Sequence, residues 1–243
     1  MQRQVPKKYT LIGDGRLARH LAHYFTLSKL DFNRWNRRDD NEQSLVVACQ
    51  DSDYVLLLIN DDKIDSFIQK RPFLKTKNLI HCSGALNSQY AVCCHPLMSF
   101  ADTLYDLALY NKIPFICDEA NGFNVIFPSL PNPSHHLAAE KRTLYHALLV
   151  IAGNFPQFLW QAVHREFQQN LEIPSTLLIP YLKQILENFS INPEKAATGP
   201  FVRGDANTIE KHLLALNSSE LEPVYRCFHD WLVPIDKSKG VQS

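Results

Sequence analysis

Two textures divide the pattern of apolar and polar positions along the chain. In the first half, short apolar runs alternate with stretches of helical period. Residues 9–12 form the first run and predict a β-strand. Just past Gly15 a helical pattern places Leu17, Leu21 and Tyr24/Phe25 on one face. A second strand is predicted over 30–38 and a short amphipathic helix over 43–50. Residues 54–59 are continuously apolar, as in strands buried on both faces. The polar stretch from Asn60 to Ile64 has N-cap character and leads into a helix closing near Pro72. Further strands are predicted over 78–82, 91–94, 113–117 and 123–127, the last two joined by a tight Asn121-Gly122 hairpin. Alternating strands and helices from residue 9 to about 110 predict an α/β unit with a parallel, doubly wound sheet.

The second texture follows a linker-like stretch, Pro128-Ser129-Leu130-Pro131-Asn132-Pro133. Beyond it every pattern is helical. A long helix is predicted from about 136 or 141 to 168, and another over 175–188 after Pro174. A third covers 205–216 with Asp205 as its N-cap, and a fourth runs from the capping box Ser219-Glu220-Leu221-Glu222 to Trp231. The polar tail at 236–243 is expected to fray. The expected architecture is a Rossmann-like, mostly parallel sheet over 1–128, followed by an all-α domain over 129–243.

Composition narrows the function classes. Lys plus Arg equals Asp plus Glu, at 25 each, so no global field draws the chain to nucleic acid or to an anionic membrane. The basic start of the chain is followed by no apolar signal core, and the longest apolar stretches are too short to span a bilayer. The expectation is a soluble, cytoplasmic protein. Its six cysteines lie mostly in or beside apolar runs and read as reduced, buried thiols. Cys93-Cys94-His95 and His81-Cys82 lack the spacing of a metal site, so no metal is expected.

The most informative stretch is Gly13-Asp14-Gly15-Arg16-Leu17-Ala18, a G-x-G-x-x-A sequence with a strand before it and a helix after it. Gly13 suits the tight turn, Gly15 lets backbone approach a diphosphate, and Ala18 lets helix and strand pack closely. The first helical N–H groups lack intrahelical partners and face the positive end of the helix dipole, so a phosphate fits there. The alternative is a chance glycine pair at a strand–helix corner. A site for NAD(H) carries an acid at the end of the second strand, whereas this chain has Asn36-Arg37-Arg38, with Asp39 and Asp40 later. Arginine can fork onto a 2′-phosphate, which favours NADP(H) over NAD(H); a solvated basic turn is the other reading. Asn60 and Asp61, and Ser83 and Gly84, follow strands at the edge that lines a ligand crevice, and are read as cofactor-binding.

The fingerprint, Trp35-Asn36-Arg37, Ser83-Gly84, His95-Pro96-Leu97-x-Ser99-Phe100, Tyr145-His146-Ala147, Asn154 and Thr198-Gly199-Pro200-x-x-Arg203-Gly204-Asp205 occur in a telling order. Together they resemble the Rossmann-like NADP oxidoreductase family with an all-helical C-terminal domain of unknown function. The architecture is more remotely similar to pyrroline-5-carboxylate reductase, ketopantoate reductase and the β-hydroxyacid dehydrogenases. The resemblance implies a homodimer formed through the helical domain, and a helix in the first domain where this chain has only residues 119–122. The remote likeness to the β-hydroxyacid dehydrogenases further implies a lysine four residues before Asn154, and here that position is Val150.

Reduction of C=O or C=N requires a proton donor near the heteroatom. Without the lysine, the titratable candidates are His146 and His95. His146 lies eight residues before Asn154, which places both on one helix face. Histidine can donate a proton at neutral pH, and an amide can orient a substrate carboxylate or carbonyl. Alternatively, His146 and Asn154 make helix–helix hydrogen bonds and His95 belongs to a structural turn. Thr198, Gly199, Arg203 and Asp205 are candidates for substrate binding. Arg203 could hold a carboxylate, or pair with Asp205 or with a partner subunit. Two functions are consistent with these residues. One is NADP(H)-dependent hydride transfer to a small carbonyl or imine acid in the interdomain cleft. The other is a non-catalytic NADP(H)-binding sensor or assembly protein.

Overall fold

The computed structural model describes residues 6–38, 41–120 and 122–233. The start of the basic N-terminus, Asp39, Asp40, Asn121 of the expected hairpin and the tail at 236–243 lie outside the described residues. From the N-terminus the elements are β1 (Lys8–Ile12), α1 (Arg16–Leu27), β2 (Asp31–Trp35), α2 (Glu42–Cys49), β3 (Tyr54–Leu57) and α3 (Asp61–Gln69). A short 3₁₀ turn at Pro72–Thr76 leads to β4 (Asn78–His81) and β5 (Val92–Pro96). Then come α4 (Leu107–Tyr110), β6 (Phe115–Cys117), α5 (Gly122–Ile126) and β7 (Ser134–His136).

The seven strands form one sheet in the order β2-β1-β3-β4-β5-β6-β7. Neighbours from β2 through β5 run parallel, β6 is antiparallel to β5, and β7 is parallel to β6. The chain moves outward from β1 to β2, then returns to the other side of β1 with β3. That reversal opens a crevice beyond the carboxyl ends of β1 and β3.

Residue alternation along the strands explains why both faces of the sheet are covered. Tyr9 and Leu11 of β1 and Leu56 of β3 face a core with Phe25 of α1, Phe123 and Phe127. Ile12, Val55 and Leu57 face the opposite core with Leu45 of α2 and Ile64 and Ile68 of α3. Full burial of each such side chain stabilises the fold by roughly 1.5–3 kcal/mol. Buried Thr10 is satisfied by the Ala48 carbonyl at 2.7 Å and by Ser52 Oγ at 2.6 Å.

Residues 123–127 are not a strand and do not pair with β6. They lie in α5 and its C-terminal end because their buried positions, Phe123, Ile126 and Phe127, have helical spacing while Val125 is exposed. Phe123 and Phe127 pack together at 5.3 Å between ring centroids and both contact Phe115. A short apolar run cannot by itself distinguish these two states. The first unit therefore does carry a helix between β6 and β7.

The proline-rich segment does not begin the helical part, since β7 follows it and pairs with β6. Helices begin with α6 (Arg142–Leu149), then a π-helical stretch at Val150–Asn154 and α7 (Phe155–Gln169). The expected long helix is thus divided. Pro156 has no N–H to bond back to Ala152, and the ladder widens beside Gly153. The chain forms two compact units, one ending at Asn154 and one beginning at Phe155.

The second unit continues with α8 (Leu178–Ile191), α9 (Pro200–Arg203), α10 (Ala206–Ala215) and α11 (Glu222–Leu232). Asp205 caps α10 as expected, accepting from the Thr208 N–H at 3.1 Å. The expected capping box does not form: α11 begins at Glu222, its N-cap Leu221 makes no side-chain cap hydrogen bond, and Glu222 accepts from the N–H of Ser218 at 3.0 Å. Among the described apolar residues of this unit only Ala162 and Ile209 are buried, whereas Phe158, Leu186, Ile191, Leu214 and Trp231 are exposed. No helix among the described residues is long and apolar enough to cross a membrane.

Candidate dinucleotide and histidine site

Gly13 and Gly15 are glycines for different reasons. Gly13 has φ +134° and donates its N–H to the Trp35 carbonyl at 2.9 Å. A Cβ there would lie 2.2 Å from the Leu58 carbonyl oxygen, so the turn after β1 is pressed against the end of β3. Only glycine fits. Gly15 has an ordinary extended backbone, φ −71° and ψ 178°, and a Cβ would have no heavy atom within 4 Å. Its bareness leaves open space before the N-terminus of α1, a helix with no acid in its first turn and no side-chain cap. That open space suits a diphosphate. Arg16, Leu17 and buried Ala18 form the first turn, and Ala18 packs into the core.

A cavity of about 350 Å³ adjoins this turn. Gly13, Asp14, Gly15, Asn36, Arg37, Arg38 and Asn60 line it, so part of the expected cofactor set, from three separate loops, meets in one space, while Arg16, Leu17, Ala18, Asp61, Ser83 and Gly84 do not line it. Lys63 and Phe67 of α3 also line it and were not foreseen, although their i, i+4 spacing puts them on one helix face. Trp35 packs on Phe67 at 6.0 Å between centroids, and Arg71 lies 3.8 Å above the Phe67 ring. Asp14 pairs with Arg34 at 3.3 Å and with Arg38 at 3.9 Å. These groups are substantially exposed, so the pairs orient charge more than they stabilise the fold.

At the end of β4 Ser83 Oγ donates to Asp61 and accepts from the N–H groups of Ala85 and Leu86 at 3.2 and 2.9 Å. Ser83 and Asp61 thereby fix the loop that presents Gly84. A Cβ on Gly84 would lie 2.5 Å from His146 Cδ2 and 3.2 Å from His95 Nε2. His95 comes from β5 and His146 from α6, so two imidazoles from distant sequence segments close over the Gly84 backbone. His95 Nδ1 is 2.9 Å from Tyr145 Oη, with the ring planes at 83°. Burial lowers the His95 pKa to about 4, helped by the neighbouring His146, Arg142 and His81, so the ring is neutral at pH 7. Burial also raises Tyr145 to about 12.

Behind this pair lies a buried polar cluster that the sequence did not reveal. Arg142 at the start of α6 is fully buried and forms an ion pair with Asp118 just after β6. It also donates to Cys93 Sγ at 2.7 Å, while Asp118 accepts from the Cys93 N–H at 2.8 Å. His81, lowered to about 4 by burial, accepts from the Ser83 N–H through Nδ1 at 3.3 Å. One atom each of His81, Cys93 and Asp118 fall within 4.8 Å of one another, a convergence the absence of metal-type spacing concealed. A metal ion there would have to share Cys93 and Asp118 with the Arg142 guanidinium, which already places a cation on both. Arg142 precedes Tyr145 and His146 by three and four residues, so this anchor fixes the helix turn that carries them. The signal available in sequence was that one-turn spacing.

The remaining expected residues lie elsewhere. Asn154 is exposed at the end of the π-helical stretch that follows α6. In the second unit Gly199 (φ +100°) and Gly204 (φ +67°) bracket the single turn of α9. Asp205 is engaged by Thr208 through both carboxylate oxygens, which lowers its pKa. Thr198 precedes this bend and Arg203 is exposed at its end.

Fold and loop geometry define a Rossmann-like architecture with a helical C-terminal region. Residues 120–230 match the family model described as Domain of unknown function (DUF2520). No curated protein matches the chain. The Bacteroides fragilis "putative NADP oxidoreductase" superposes with a TM-score of 0.72 at 19% identity, covering 93% of this chain and 98% of that one. An Aspergillus terreus reductive aminase, in complex with NADPH and ethyl levulinate, gives 0.62 at 13%, covering 93% of each chain. The Plasmodium falciparum pyrroline carboxylate reductase with NADP bound gives 0.57 at 12%, covering 93% and 99%. At these identities the likeness establishes the fold.

Proposed function

We propose that the chain is an NADP(H)-dependent oxidoreductase that reduces the C=N or C=O group of a small imino or keto acid. The observation that carries this reading is the convergence of His95 and His146 over Gly84, in the same compact unit as a cavity lined by the fingerprint turn and Arg37-Arg38. The N-terminus of α1 accepts the diphosphate, with Gly15 leaving room for it, and Arg37 and Arg38 face the 2′-phosphate. When bound, the nicotinamide supplies the hydride. His146 gives its proton to the substrate heteroatom as the adjacent carbon is reduced, becomes neutral, and takes up a proton from solvent. Three solved relatives of this fold carry NADP(H) or an oxidoreductase name, which supports the cofactor class. In the helical unit Arg203 is the side chain suited to a carboxylate. The broad apolar exposure of that unit supports a homodimer formed through it, which sedimentation equilibrium tests directly.

His146→Gln separates catalysis from structure. A proton donor gives about 10²–10⁴-fold slower turnover with NADPH affinity unchanged. A structural histidine instead costs about 1–3 kcal/mol of stability, read as a lower melting temperature, with unchanged turnover per folded molecule. The non-catalytic alternative draws on Val150, at the first residue of the π-helical stretch, where the resemblance implies a lysine.

A further inference from the structure

We infer that Tyr145 is a positioning residue that holds His95 in the tautomer with its proton on Nε2, so that a neutral imidazole N–H is presented at Gly84. The inference rests on the oxidoreductase reading and gives the two histidines different tasks. His95 polarises the substrate C=N or C=O by hydrogen bonding, and His146 transfers the proton.

The geometry fixes the direction of the bond. Tyr145 Oη and His95 Nδ1 are 2.9 Å apart, and one of them must carry the shared proton. A phenol is a good donor and a poor acceptor because its lone pair is delocalised into the ring, whereas an unprotonated imidazole nitrogen is a strong acceptor. Tyr145 therefore donates, Nδ1 accepts, and the His95 proton resides on Nε2. Nε2 is the atom nearest Gly84 on that ring, 3.2 Å from where a Cβ would stand. No carboxylate is hydrogen-bonded to His95 among the described residues, and the charged side chain that acts on its ring is Arg142, paired with Asp118. The facing titratable groups are His146 from α6 and His81 from β4. Nothing in this surrounding favours a second proton on the ring, so the donor is neutral. A neutral donor can remain hydrogen-bonded to the heteroatom throughout the reaction without giving up its proton. Tyr145 and His146 are adjacent on α6, so the turn anchored by Arg142 places both the positioner and the acid.

The test is long-range ¹H–¹⁵N correlation of protein labelled with ¹⁵N-histidine at pH 7, with the His95 signals assigned from His95→Gln. The expected result is a protonated Nε2 and an unprotonated Nδ1 in the wild type, with Tyr145→Phe giving mixed or reversed tautomers at unchanged NADPH affinity. Tyr145→Phe keeps the ring and removes one hydroxyl, and the wild-type spectrum is informative even if that variant misfolds. A wild-type His95 with its proton on Nδ1, or a Tyr145→Phe spectrum with the wild-type tautomer retained, overturns the proposal. Failure to bind NADPH would overturn the oxidoreductase reading alone, because the tautomer is read without cofactor.

Discussion

Replacing the two fingerprint glycines one at a time should produce opposite losses. At Gly13 an alanine Cβ would sit 2.2 Å from the Leu58 carbonyl oxygen, on a backbone with φ +134°. The conformational penalty is about 1–3 kcal/mol, and forcing apart a packed backbone contact adds about 1–3 kcal/mol. Their sum, roughly 2–6 kcal/mol, corresponds to a fall in melting temperature on the order of 10 °C for a chain of this size. At Gly15 a Cβ meets nothing within 4 Å and the backbone is ordinary, so Gly15→Val should keep stability within about 0.5 kcal/mol. Its side chain instead occupies the space assigned to the diphosphate. Thermal denaturation and NADPH titration by calorimetry on both variants decide the matter. Gly13→Ala should melt early, whereas Gly15→Val should melt normally and fail to bind. Normal NADPH binding by folded Gly15→Val would refute the reasoning, and so would a Gly15→Val protein as unstable as Gly13→Ala.

Arg37→Asp should reverse a preference for NADPH over NADH, read as the ratio of the two dissociation constants, because a carboxylate repels the 2′-phosphate and accepts from a ribose hydroxyl. Arg142→Met leaves Asp118 without its buried partner and should destabilise the first unit by about 3–5 kcal/mol, seen as an early thermal transition. His81 and His95 have folded pKa values lowered from 6.5 to about 4, so the unfolded chain binds more protons between those values. Their contribution to stability is therefore complete above pH 6.5 and lost as pH falls toward 4, measurable as a falling denaturation midpoint that His81→Phe makes shallower.

The parallel part of the fold was legible because its signals are local. The apolar run of β3, the fingerprint turn and the helical face of α1 each state their own geometry, and the structure reproduces all three. Residues 123–127 misled because a buried five-residue run looks alike as strand or helix, and the Phe123–Phe127 pairing that decides it depends on Phe115 and Tyr9. The cavity residues were readable from the loops that follow parallel strands. Lys63 and Phe67 were readable only once α3 had a known face. The Arg142–Asp118–Cys93 anchor was not, since its members lie on three elements and only the sheet order brings them together. Likewise His95 and His146 could be suspected singly, but their convergence over Gly84 is a tertiary fact.

The most direct test of the account is NADPH oxidation by the purified protein, followed at saturating cofactor across a panel of small imino and keto acids. The account predicts substrate-dependent oxidation by the wild type, lost in His146→Gln while NADPH binding is retained. A wild-type protein that binds NADPH tightly yet oxidises it with no member of the panel would contradict the catalytic assignment of His95 and His146 and leave the chain a dinucleotide-binding protein.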